Sequence, residues 1–134
     1  KGVALPVRTP EEIDSVLAAL GREPGAGLVA MPDSFNALHR GLLIAQTTRH
    51  RMPTIYPFRY FAAEGGFMSY GVDLLDLYKR SASYVDRLLK GAKVIDLPVQ
   101  ASTRFHLVIN LKAAKALGLS LSRNMLARAD EILE

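Results

Sequence analysis

No cysteine occurs among the 134 residues. Disulfides and thiolate chemistry are excluded, while both oxidising and reducing compartments remain open. No apolar run approaches the ~20 residues that a membrane-spanning helix requires. No Gly-rich phosphate loop is present: Gly65-Gly66 precedes an apolar run instead of following one, so it does not fit a dinucleotide fingerprint. The histidines are His39, His50 and His106; their spacing matches no metal-ligand pattern, and there is no cysteine to complete one. Ser34 and Ser69 each follow an apolar run, but neither lies in a G-x-S-x-G elbow and no histidine stands at a partnering position. The chain therefore reads as a non-enzyme, with no metal and no cofactor expected. Internal repeats and low-complexity stretches are also absent.

What is present is an ordinary globular composition, 49% hydrophobic and 22% charged, long enough for one domain with a core. The net charge is +4, which raises nucleic acid as a partner. The basic residues are scattered, however. Their densest cluster, Arg49-His50-Arg51, falls at a helix end, where cations complement the helix dipole. Without a groove-reading motif or aromatic-basic interleaving, no nucleic-acid partner is expected.

Along the chain, residues 3–7 suggest a short edge strand interrupted by Pro6. Thr9-Pro10-Glu11-Glu12 is a helix start: an N-cap, a proline at the first helical position and a capping-box glutamate. Ile13, Val16, Leu17 and Leu20 follow at helical spacing. Residues 28–31 (LVAM) form a short apolar run suited to a buried parallel strand. Asp33 or Ser34 can cap the next helix, which is expected to run to Arg49. Residues 54–56 and 67–70 are further strands, with a turn or short helix between. A long helix is expected over 72–90, with Leu74, Tyr78, Ala82, Val85 and Leu89 along one stripe. A proline-containing linker leads to a strand at 105–109, where Phe105, Leu107 and Ile109 alternate with His106 and Val108. Asn110 caps one short helix. Ser122 caps a last helix expected to carry Met125, Leu126, Ala129, Ile132 and Leu133. The order is β-α-β-α-β-β-α-β-α-α, which implies an α/β fold: a Rossmann-like, mainly parallel sheet with helices on both faces.

Open α/β sheets bind ligands outside the carboxyl ends of their strands. The candidate ligand-binding residues are those just past or at such ends: Asp33, Ser34, Tyr56, Ser69, Tyr70 and Asp73. For Asp33 and Asp73 the alternative role is helix capping. If their carboxylates face a shared crevice, they suit a ligand ammonium group. Tyr70 offers an aromatic face and a hydroxyl. Tyr56 supports two readings equally, ligand contact or core.

Three stretches resemble a known family: residues 28–34; residues 53–71, with P-x-I-Y-P-x-R followed by E-G-G and then S-Y-G-x-D; and LLKGAKVIDLPVQASTRFHLVINLKAAKALGL over 88–119. The ending LARADEI is similar as well. The pattern resembles the periplasmic substrate-binding proteins of an ABC-transporter group with a type I binding-protein fold. Val94 and Ser102 stand where that family commonly has proline, and Gln100 where it commonly has glutamate. The resemblance implies two similar α/β lobes with the ligand between them and hinge closure on binding. Its expected partners are a small organic, amino-acid-like solute and a membrane permease. The expected location is periplasmic, or lipid-anchored outside the cytoplasmic membrane.

On that view the chain is most of the second lobe. Residues 1–71 are its α/β portion, 72–91 a crossover helix, and 92–134 the linker, last strand and C-terminal helices, with a further lobe upstream. The stripe on the 72–90 helix would then be uncovered, and a homodimer of this chain is the expected consequence. Two rivals share the architecture. One is the effector-binding domain of a transcription regulator. The other is a flavodoxin-like or receiver-like domain, whose acidic cluster after the first strand and lysine after the last are not found.

Overall fold

A computed structural model describes residues 2–134. The first helix, α1 (Pro10–Leu20), begins as its sequence dictates. The Thr9 hydroxyl accepts from Glu12 N–H at 3.4 Å, and the Glu12 carboxylate accepts from the backbone N–H groups of Thr9 and Arg8. Strand β1 is short (Leu28–Val29) and is followed by α2 (Ser34–Leu38) and α3 (Arg40–Arg49). The single helix expected over this stretch is broken at His39, whose backbone leaves the helical region (φ −98°, ψ 21°). Then come β2 (Thr54–Tyr56), α4 (Arg59–Ala63), β3 (Met68–Val72), the long α5 (Leu74–Leu89), a 3-10 turn at Val94–Asp96, β4 (Phe105–Asn110), α6 (Leu111–Ala116), α7 (Arg123–Ala127) and β5 (Glu131–Leu133).

The five strands form one sheet in the order β1-β2-β3-β4-β5. Pairing is parallel for β1–β2, β2–β3 and β4–β5, and antiparallel for β3–β4. The fold is thus the expected mostly parallel α/β sheet with helices on both faces. The antiparallel pair arises because the chain leaves β3, runs out along α5 and returns through residues 92–104 to the edge it left. Phe105 lies opposite Val72, and Asp73 N–H donates to Arg104 C=O at 3.1 Å.

Register assigns the faces. Ala30, Tyr56, Ser69 and Val108 share one side, on which α1, α3 and α4 pack through Ile13, Leu17, Leu43, Ile44 and Phe61. Met68 and Ile109 share the other, covered by α6 and α7 through Ala114, Leu111, Met125 and Leu126. That second cover stops short of β1 and β2, so Val29 (63% exposed) and Ile55 (36%) lie open.

Two further expectations fail. Residues 3–7 form no strand and pair with none among the described residues. Extended apolar sequence becomes a strand only where a neighbour supplies backbone partners. The last helix ends at Ala127, and Glu131–Leu133 is β5. Asp130 decides this: its carboxylate accepts from Leu107 N–H at 2.8 Å and its own N–H donates to Leu107 C=O at 2.9 Å, which lays the following residues beside β4.

Candidate ligand-binding site

Because β1, β2 and β3 are parallel, their carboxyl ends and the first residues beyond them converge on one edge of the sheet: residues 30–34, 57–59 and 71–73. Two glycines fix how closely these elements approach. A Cβ on Gly71 would stand 1.8 Å from the Pro57 carbonyl oxygen, so no side chain fits where β3 passes the end of β2. A Cβ on Gly66 would stand 2.7 Å from the Tyr56 ring and 2.8 Å from the Phe61 carbonyl oxygen. The Gly-Gly pair is therefore a packing feature and not a phosphate cradle.

Asp33 is the N-cap of α2. Its Oδ1 accepts from Phe35 N–H at 2.7 Å and Asn36 N–H at 3.3 Å. The Asn36 amide then donates to Met31 C=O at 3.1 Å and closes the loop. The side chain is exposed, and Oδ2 has no hydrogen-bond or ion-pair partner among the described residues. Ser34, also exposed, opens the helix beside it.

Asp73 is the N-cap of α5, its Oδ1 accepting from Leu75 N–H at 3.0 Å and Asp76 N–H at 3.1 Å. Its other oxygen lies 3.7 Å from Arg104 Nε. The bond from Asp76 N–H, with smaller help from Leu75 N–H, Arg104 and His106, holds the carboxyl below the usual aspartate value. The two aspartates follow β1 and β3 at the same edge, two strand spacings apart, or about 10 Å. They are not equivalent: Asp33 keeps a free oxygen, whereas Asp73 already has a cation beside it.

Tyr70 is 55% exposed and stacks on Phe105, ring centroids 5.6 Å apart and planes 20° from parallel. Both rings lie on the second face, at the edge where β4 begins. The other two candidates are turned away from solvent. Tyr56 is 1% exposed, its ring stacked on Phe61 at 5.0 Å and its hydroxyl 2.6 Å from Thr47 Oγ1; burial raises its pKa. Of its two readings the core one is correct. Ser69 is 1% exposed, in a row between Tyr56 and Val108, and its Oγ has no hydrogen-bond partner among the described residues. It does not reach the edge.

Four further residues belong to this edge although their sequence positions assigned them no role. Phe105 begins β4 and Arg104 immediately precedes it, and their place beside Tyr70 and Asp73 follows from an antiparallel pairing that spacing does not reveal. Arg59, the first residue of α4, forms a two-bond ion pair with Glu131 of β5 (Nε to Oε2 2.7 Å, Nη2 to Oε1 2.6 Å). That pair lowers the Glu131 pKa and raises the Arg59 pKa. Among the described residues no group of three or more His, Cys, Asp or Glu side chains is placed to hold a metal.

The ABC transporter substrate binding protein family model matches residues 2–133. The chain belongs to that family. No curated protein shows significant similarity to it. Three solved structures resemble this chain. A conserved domain protein from Vibrio cholerae O1 biovar El Tor is 25% identical, with a TM-score of 0.80 over 92% of this chain and 42% of that one. An ABC domain from Streptococcus pneumonia, in complex with L-Trp, is 24% identical, with a TM-score of 0.81 over 96% of this chain and 44% of that one. The ligand-free, open CD0873 from Clostridium difficile, a substrate-binding protein with adhesive properties, is 20% identical, with a TM-score of 0.67 over 95% of this chain and 42% of that one. The last two likenesses concern the fold alone. This chain spans less than half the length of each of the three.

Proposed function

We propose that this chain is one lobe of a two-lobe substrate-binding protein that captures a small amine-bearing organic solute and delivers it to a membrane permease. The observation that carries the ligand class is Asp33. Its carboxylate spends one oxygen on the α2 cap and leaves the other free at the edge where the three parallel strands end. A ligand ammonium is the complement of that oxygen. Asp73, with Arg104 beside it, is the weaker cation site. The half-exposed Tyr70–Phe105 stack offers a flat apolar surface at the same edge. The related fold with bound L-Trp supports an amino-acid-like solute with an apolar side chain. Residues 1–71 form the lobe proper. Residues 72–91 are the crossover helix, and residues 92–134 return the chain to the sheet. The opposing lobe corresponds to the part of the longer relatives that this chain does not match. Family membership supports an extracytoplasmic location and binding without catalysis. Nothing observed favours a regulator's effector domain.

Amide NMR on the labelled chain, titrated with L-Trp and other amino acids, tests this reading because it detects weak binding. Shifts should concentrate at residues 31–36, 57–59 and 70–74. Asp33→Asn keeps the cap, since asparagine caps as well as aspartate. Its melting temperature should therefore hold, while the shifts weaken about tenfold or more. Equal binding by wild type and variant would remove Asp33 from the site.

A further inference from the structure

The basic residues are spread along the chain, but the surplus of positive charge is not. Residues 97–129 carry Arg104, Lys112, Lys115, Arg123 and Arg128 and no aspartate or glutamate. Without those five, the 17 basic side chains fall below the 13 acidic ones, so the surplus belongs to this stretch alone. Arg104 lies at the ligand edge beside Asp73. The other four sit on α6 and α7.

Packing turns them outward. α6 and α7 cover the second face of the sheet through Leu111, Ala114, Met125 and Leu126. Lys112 and Lys115, three residues apart, share the outer side of α6. Arg123 is the first residue of α7, and Arg128 is its C-cap. All four are exposed, and none has an ion-pair partner among the described residues. The carboxylates that follow in the chain are committed elsewhere. Asp130 accepts from Leu107 N–H, and Glu131, in register with Val108 on the first face, is held by Arg59.

The apolar content of this surface narrows the partner. Among the described residues, no large apolar side chain between 106 and 131 is exposed. Protein partners are anchored chiefly by aromatic or other large groups buried at the centre of a contact, and this surface offers none. Dispersed, unpaired cations without an apolar anchor fit a partner whose negative charge is itself dispersed, as on a lipid surface.

We infer that the outer face of α6 and α7 rests on a membrane through anionic phospholipid headgroups. Only the setting of this inference rests on the proposed service to a permease; the solute plays no part in it. The cations stay hydrated at headgroup level, so affinity follows lipid charge and is screened by salt. The ligand edge lies at the strand ends, at right angles to the sheet face that α6 and α7 cover. A lobe seated in this way keeps that edge open for solute entry.

Co-sedimentation of the 134-residue chain with lipid vesicles tests this without any solute. At low salt, phosphatidylcholine vesicles with about 30% phosphatidylglycerol should retain the chain, and pure phosphatidylcholine should not. Lys112→Gln with Lys115→Gln should weaken retention about 25-fold, about fivefold for each cation taken from the surface. Lys79→Gln with Lys93→Gln, which removes the same charge elsewhere, should leave retention nearly unchanged. Glutamine and lysine have similar helix propensities, so melting temperatures should hold. No retention on the anionic vesicles, or equal retention on the neutral ones, would overturn the inference. Equal losses in the two double variants would do so too, by reducing the effect to net charge. Competition by soluble glycerol phosphate would also overturn it, by marking a discrete anion site. None of these failures touches Asp33, whose titration contains no lipid.

Discussion

Asp33 and Asp73 are one residue type at one kind of position, yet their surroundings differ. Both cap helices through Oδ1 alone, so capping and ligand contact are not exclusive readings of an aspartate after a strand. What separates the two is the neighbour of the second oxygen, and Arg104 supplies one only to Asp73. Gly71 is the residue on which the edge geometry depends most directly. The contact that a Cβ would make with the Pro57 carbonyl is with backbone, so relief requires β2 and β3 to part. Gly71→Ala should cost about 3 kcal/mol, the upper part of the usual overpacking range, and should displace the 57–59 loop. Urea denaturation gives the cost directly. An unchanged midpoint and slope would show that the strands yield freely.

Among the elements, β5 is held least by its own sequence. It is a three-residue edge strand next to the chain end, and two side chains anchor it: Asp130 on Leu107 N–H and Glu131 on Arg59. Glu131 has a folded-state pKa lowered below its ordinary 4.5, chiefly by the bond from Arg59. A lowered carboxyl contributes stability that is fully present above its unfolded value and is lost as pH falls through the folded one. The contribution of the Arg59–Glu131 pair should therefore be constant above about pH 5 and disappear progressively below pH 4.5. Glu131→Gln should destabilise the protein by about 1 kcal/mol at pH 7 but by less at pH 3. Amide exchange in residues 131–133 should rise more than in β4. A loss of equal size at pH 3 and pH 7 would mean that the charge is not what holds the strand.

At the scale of the whole molecule, the proposed ligand edge of the sheet is open to solvent. Small-molecule sites commonly bury most of the ligand surface, and here Asp33, Tyr70 and Phe105 are all exposed. If a second lobe supplies the missing side, contacts worth about 3 kcal/mol would be absent in this chain, a factor of more than one hundred in affinity. The 134-residue chain should then bind its solute at about millimolar strength, and a longer chain carrying the opposing lobe about two orders of magnitude more tightly. Calorimetry on both with one ligand measures the ratio, and equal affinities would place the entire site on this lobe.

Features that depend on neighbours a few residues away could be derived from the sequence alone. The Thr9 capping box and the Asp33, Asp73, Asn110 and Ser122 caps rest on local spacing, and all are present. Tertiary structure decided what depends on a partner far along the chain. Residues 3–7 have strand-like composition but pair with no strand among the described residues, whereas residues 131–133 fit a helical pattern and became a strand because Leu107 was there to receive them. Tyr56 left the candidate site because Thr47 and Phe61 enclose it, and Phe105 and Arg104 entered the edge through an antiparallel register that spacing cannot encode. Backbone hydrogen bonds in a helix are satisfied within one turn, so a short window of sequence fixes them. Those in a sheet, and the exposure of every side chain, are settled only when distant segments meet.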